Sequence, residues 1–443
     1  MGGHNSELIT LSVNLDGGSI ETDYSGSYAT GHTIELEAIP AKDNYTFTGW
    51  TCSDLLALSG STLTIGNSDL ILTANWTPKY LVTVELNGGS IEVNYNGYYD
   101  SGDILNLVNP TKNQYAFAGW TCSDPLALSG NILTIGNENL TITANWLDRM
   151  NIYVSSSGND TTGNGTINFP YATINKAYQK IYNNGTIKLL SDITQTSEAN
   201  FNTTSKSVTL TSNSDTYKII RGSQLTSGSI ILLSNSNTLT TRNITFDGNN
   251  VQATKSLLFV TGSSALIINN GTTITKSKNS GNGGGIAVNS STLTLNGGEI
   301  TNNTSSNDGG GIVIVSSTLT INDGAISNNT STSGGGAIHS SNSSIINING
   351  GTISNNTTAD GGGINATETT ITLNNGTISG NYASHSGGGI ILWSGSVNFK
   401  GGSIINNRCE SSWGGGGGIR RAGGSYSKTG GTLSGNSPQD YVG

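Results

Sequence analysis

Two hydrophobic rhythms divide the chain. Up to about residue 148 apolar and polar positions alternate in short stretches, as in Val82-Thr83-Val84-Glu85-Leu86 and Leu140-Thr141-Ile142-Thr143-Ala144. A period of two places alternate side chains on opposite faces of a strand, and the intervening Asp16-Gly17 and Asn87-Gly88 pairs have tight-turn chemistry. Beyond Met150 the apolar positions come in still shorter groups separated by Gly, Asn and Ser, too brief for helices. One segment breaks the pattern: Ile174, Ala177, Tyr178 and Ile181 have helical spacing and stop at Asn184-Gly185.

Both regions repeat internally. Phe47-Thr48-Gly49-Trp50-Thr51-Cys52-Ser53-Asp54 returns as Phe117-Ala118-Gly119-Trp120-Thr121-Cys122-Ser123-Asp124, and Thr73-Ala74-Asn75-Trp76 returns at the same offset as Thr143-Ala144-Asn145-Trp146. Asp16-Gly17-Gly18-Ser19-Ile20 returns as Asn87-Gly88-Gly89-Ser90-Ile91. An early N-G-G, a central F-x-G-W and a closing A-x-W resemble the internalin B-type repeat, also called the Listeria/Bacteroides repeat. The resemblance implies two compact β-grasp-like modules, residues 8–78 and 79–148, of a kind carried in tandem on bacterial surface proteins. Thr51-Cys52 departs from the aromatic usual after the Trp. The four repeated tryptophans read as core fillers of small modules rather than sugar platforms.

From residue 149 the repeat is shorter. Gly-Gly-Gly followed by apolar residues begins at Gly283, Gly309, Gly334, Gly361 and Gly387, with a degenerate copy at Gly415. Ile300-Thr301-Asn302-Asn303 matches Ile326-Ser327-Asn328-Asn329 and Ile353-Ser354-Asn355-Asn356. Units this short bury no core alone, so they must stack. The predicted fold for residues 149–443 is a parallel β-helix of about ten coils with aliphatic and asparagine ladders, its first edge covered by the helix near 174–181. Tyr153-Val154-Ser155, Gly158-Asn159-Asp160 and the coils resemble the pectate-lyase-like superfamily, which implies a right-handed helix. The fold class is therefore all-β throughout.

Composition narrows the function. Charged residues are only 11% of the 443, and the net charge of −9 is uneven: residues 1–150 carry 16 acids and 4 bases, residues 151–443 carry 12 and 15. Neither region has the cation density of a nucleic-acid binder. No apolar run approaches the length that crosses a bilayer, so no membrane insertion is expected. Met1-Gly2-Gly3-His4-Asn5-Ser6 fits a myristoylation pattern without a second anchoring signal, and residues 1–7 read as a leader or tag remnant. Three cysteines give no disulfide framework, and no cofactor is expected.

The superfamily resemblance implies lyases and hydrolases as well as adhesins, so the placing of carboxylates matters. Asp308 and Asp360 share a register before their Gly-Gly-Gly runs, two coils or roughly 10 Å apart, with Ser333 between them. Asp247 with Arg221, Arg242 and Lys255 is a second weak catalytic candidate. His339 aligns with Val288 and Ile314, and neither it nor His385 has a partner at metal-ligand spacing. A ligand-binding cluster is expected in the last coils from Trp393, Arg408, Trp413, Arg420, Arg421, Tyr426 and Lys428, which concentrate aromatic and cationic residues. Finally, Ala287, Val313, Ile338 and Ile391 would form an outward aliphatic stripe, interrupted at Asn365, that the N-terminal modules, a second copy or a partner should cover. The sequence reads as an extracellular bacterial surface protein, adhesin-like and non-catalytic, binding a glycan or a host surface protein. The alternatives are a lyase or hydrolase acting on an acidic polysaccharide and a structural stalk or spike.

Overall fold

The computed structural model describes residues 8–203, 205–410 and 415–443; the leader reading of residues 1–7 lies outside them. The chain forms two compact units, residues 1–147 and 148–443.

In the first unit the same module occurs twice. Strand Leu8–Asn14 pairs antiparallel with Gly26–Ala29 and parallel with Leu70–Pro78, which pairs antiparallel with Tyr45–Cys52. A second small sheet, Thr33–Glu35, Thr62–Thr64 and Leu58–Ser59, completes a sandwich over Leu11, Leu63, Ile65, Leu70 and Leu72. The second module repeats this order around Tyr80–Glu85 and Leu140–Asp148. Its core holds Val82, Leu133, Ile135 and Ile142. The N-G-G and A-x-W motifs turn out to be one device. Asp16 and Gly17, like Asn87 and Gly88, take left-handed φ at the centre of a tight turn closed by Gly18 N to Leu15 O and by Gly89 N to Leu86 O. The next glycine lies against the closing tryptophan, whose indole N–H donates to the turn: Trp76 Nε1 to Leu15 O at 3.1 Å, Trp146 Nε1 to Leu86 O at 3.0 Å. A Cβ on Gly18 would lie 2.6 Å from the Trp76 ring, and one on Gly89 would press into Trp146. Trp50 and Trp120 meet Phe47 and Phe117 edge-on at 5.4 Å. All four tryptophans pack within the modules.

The second unit is a right-handed β-solenoid of about nine turns from residue 185. Three sheets run along it, of 19, ten and seven strands among the described residues, all paired in parallel. Helix Ile174–Lys180 buries Ile174, Ala177 and Tyr178 against the first coils; Thr173 caps it, its hydroxyl accepting from Lys176 N at 3.1 Å. Inside, leucines and isoleucines stack in register: Leu293, Leu319, Ile346, Ile371 and Val397 form one column.

The Asn-Asn pairs divide two tasks. Asn302, Asn328, Asn355 and Asn406 adopt left-handed φ and turn the corner. The asparagine that follows is buried and forms a ladder. Asn303 Nδ2 donates to Asn329 Oδ1, and the series continues through Asn356, Asn381, Asn407 and Asn436 at 2.9–3.0 Å, ending on the Asp440 carboxylate at 2.9 Å. Each Nδ2 also reaches an isoleucine carbonyl and each Oδ1 also accepts a backbone N–H, as at Asn356 with Ile326 O and Asn329 N, so these buried amides leave no group unpaired.

Candidate functional site

The edge of the ten-stranded sheet carries the clustered chemistry. Its repeating landmark is a left-handed glycine, with φ near +70°, found at the evenly spaced positions Gly283, Gly309, Gly335, Gly361 and Gly387. The register therefore runs through Gly335 rather than Gly334. Gly334, not Ser333, stands between Asp308 and Asp360, as the Gly334–Asp360 bridge and the Gly309 N to Gly334 O bond show. The same one-residue difference moves His339 out of the inward set. It pairs in register with Val313 on one side and Asn365 on the other, while Ile338 pairs with Ile312 and Ile364 and points into the core.

This corrects the expected stripe. The outward column reads Phe259, Ala287, Val313, His339, Asn365, Ile391, Arg420, and Ile338 is not part of it. Nor are its aliphatic members bare: Val313 is 5% and Ile391 0% exposed. The chain's own turns cover them, since a Cβ on Gly283 would come within 2.6 Å of the Val313 side chain and one on Gly387 within 2.7 Å of Ile391. Glycine lets each corner close over the column.

Toward the C-terminal end that column opens into a cleft of about 330 Å³ lined by Asp360, His385, Ser386, Trp393 and Arg420. Trp393 presents nearly half its surface. His385 Nδ1 lies 3.6 Å from Asp360 Oδ2, and Asn365 Nδ2 donates to Asp360 O at 3.3 Å. Burial pushes the Asp360 carboxyl above its ordinary pKa, with His385 and Arg420 pulling it back. Two coils earlier Asp308 Oδ1 sits 3.8 Å from His339 Nδ1, an enclosed nitrogen that makes no hydrogen bond. Burial lowers the His339 pKa against the opposing charge of Asp308, so its imidazole is held neutral. The site thus joins Asp360 to Trp393 and Arg420, assigned to separate candidates from sequence, and adds His385.

The other candidates are placed elsewhere. Arg221 is completely enclosed, donating to the carbonyls of Lys255, Gly228 and Ser256; its pKa is lowered to about 10 by burial. Nothing outside the coil can reach it. Asp247 lies 3.5 Å from Lys276, and Lys255 covers the Phe259 ring. Arg421, Tyr426 and Lys428 close the last coil: Arg421 Nε donates to Tyr441 Oη at 3.0 Å, Tyr426 stacks on Tyr441 at 4.7 Å, and Lys428 lies over Phe399. Arg408, on the seven-stranded sheet, stands near the Tyr382 ring and Glu410. Trp413 lies outside the described residues. Among those described, no group of three His, Cys, Asp or Glu is placed to hold a metal ion, and all three cysteines are free thiols. No described helix is long and apolar enough to cross a membrane.

Neither a curated protein nor a solved structure matches the chain. Residues 9–79 match the family model for the divergent InlB B-repeat domain, and residues 80–145 match that for the Listeria-Bacteroides repeat domain, so the first unit consists of two repeats of a type typical of bacterial surface proteins, followed by the β-solenoid.

Proposed function

We propose that the chain is an extracellular, adhesin-like protein of a bacterial surface whose solenoid binds a glycan, without cleaving it, in the cleft of Asp360, His385, Ser386, Trp393 and Arg420. The observation that carries this reading is the half-exposed indole of Trp393 beside a carboxylate, an imidazole and a guanidinium. An aromatic face stacks on a sugar ring, and the polar groups around it hydrogen-bond the hydroxyls, the usual division of labour in a ligand cleft. Tandem surface repeats and a solenoid suit display of such a site away from a cell.

A glycan array on the full chain tests it. Trp393→Ala should weaken any binding by about 1–3 kcal/mol while leaving the melting temperature unchanged. Binding untouched by that change would place the function elsewhere. A second reading, polysaccharide hydrolysis, draws on Asp308 and Asp360 standing two coils apart, about 10 Å, near the separation of an inverting acid and base. New reducing ends on any bound glycan would establish that reading and end the non-catalytic one.

A further inference from the structure

Down the outward column of the ten-stranded sheet, Ala287 stands between Phe259 and Val313. Beside this short side chain, between two larger ones, opens a hollow of about 220 Å³ floored by Phe259, Ala287 and Val315. All three are half-buried, so the floor is apolar and still open to solvent. The rim is polar, and what it offers is donors. Asn282 Oδ1 is already taken, accepting from Asp308 N at 3.3 Å, which fixes the amide with its Nδ2 unpaired among the described residues. Asn289 Oδ1 likewise accepts from the Ser290 hydroxyl at 3.1 Å. Lys255 holds its ammonium over the Phe259 ring, 5.2 Å from the centroid, and forms no ion pair among the described residues. No carboxylate lines the hollow, and that of Asp308 faces His339.

A further charge stands behind this rim. The enclosed Arg221 guanidinium donates to the carbonyls of Lys255 and Ser256 at 3.0 and 2.8 Å, while the opposing Glu198 carboxylate is bound to Ser229 N at 2.7 Å. The charge in contact with the Lys255 segment is thus positive. An ammonium and an amide N–H bind a carboxylate through charge-assisted hydrogen bonds, and an apolar floor takes the group to which it is joined. A sugar ring asks for acceptors as well as donors, and here both amide oxygens are engaged.

We infer that this hollow is a second binding site, separate from the Asp360–Trp393 cleft, for a carboxylate joined to a compact apolar body. A free branched-chain carboxylic acid and the C-terminal residue of a peptide ending in leucine share that chemistry. The carboxylate sits on Lys255 and Asn282, and the apolar body lies on Ala287 and Val315 beside Phe259. Five coils, about 24 Å, separate the Phe259 coil from that of Ile391 and Trp393.

Calorimetric titration of the full chain tests this with isocaproate for the free acid, N-acetyl-leucine for the peptide terminus, and isocaproamide and glucuronate as controls. At least one of the two acids should bind, and isocaproamide should bind about tenfold more weakly or not at all. Lys255→Gln, at an exposed side chain, should weaken the acid about tenfold with the melting temperature unchanged, and Lys255→Arg should retain it. Ala287→Leu fills the hollow and should abolish binding; if that variant fails to fold, Lys255→Gln decides. The tighter of the two acids names the source, a peptide terminus for N-acetyl-leucine and a free acid for isocaproate. Equal binding of isocaproamide, tighter binding of glucuronate or indifference to Lys255→Gln would overturn the inference. So would a titration lost with Trp393→Ala, which would place the acid in the other cleft, or no binding of either acid at millimolar concentration to a chain that melts as a folded protein.

Discussion

Gly89 has no side chain because Trp146 occupies the place one would take. Gly89→Ala should destabilise the second module by about 1–3 kcal/mol through overpacking, read as a lower unfolding midpoint of the 1–147 unit with the solenoid transition unchanged. His339 carries a different liability. Its native pKa is depressed by burial, whereas in the unfolded chain it takes a proton near pH 6.5. Below that value the unfolded state binds more protons than the native one, so the stability contributed by neutral His339 is present above about pH 6.5 and is lost as the pH falls through the native value. Asp360 runs the other way: its raised pKa favours the protonated native carboxyl, so its contribution is present in acid and is lost as pH rises through the native value. Unfolding midpoints measured from pH 8 to 5 should fall less steeply for His339→Gln than for the parent, and an identical slope would remove His339 from the explanation. Burying these polar groups carries a standing cost in stability.

At the scale of elements, the asparagine ladder links coil to coil where hydrophobic stacking alone would leave register loose. Asn356→Ala removes the acceptor of Asn329 N and Nδ2 and the donors to Ile326 O and Asn381 Oδ1. Leaving such buried partners unpaired costs about 1–3 kcal/mol each. Denaturant unfolding should lose at least about 2 kcal/mol, with amide exchange quickening first in the coils on either side. The ladder and the aliphatic columns were legible in the sequence, because Ile-x-Asn-Asn and Leu-Thr-Leu-Asn recur from coil to coil. The site was less so. Matching the first glycine of each run set the coil at 334–336 one residue out of step, and a one-residue slip exchanges inward and outward faces. His339 and Ile338 were thereby interchanged. The feature the backbone keeps is the left-handed glycine, and a strictly even count through Gly335 would have found it. The meeting of Asp360 with Trp393 and Arg420 had no such signal, since the coil from Ile390 to its register partner Ile419 is longer than the even coils that run from Ile286 to Ile390.

For the molecule as a whole, the repeats and the solenoid have separate cores, and the Asp148 carboxylate accepts from Met150 N and Asn151 N at the start of the second unit. Residues 1–147 and 148–443 should each fold when produced alone, with melting transitions that superpose on those of the full chain; a fragment that fails to fold would show that the units depend on one another. The division into repeats and rod was plain from the two rhythms of the sequence, while the covering of the outward column was not, because closure by a glycine corner leaves no hydrophobic signature. The constant step between left-handed glycines also makes the rod a ruler with whole-coil graduations. Excising residues 309–334 removes one graduation: Asn303 would meet Asn356, Leu293 would meet Ile346, and the ladders would rejoin without a mismatch. The shortened chain should remain folded, with a similar β signature in circular dichroism. Its marks would be reset, however, for Asp308 would then stand one coil from Asp360, about 5 Å away. Gaining or losing a single coil would thus reset the spacing of carboxylates along the edge by counting, without altering any residue of the coils that remain.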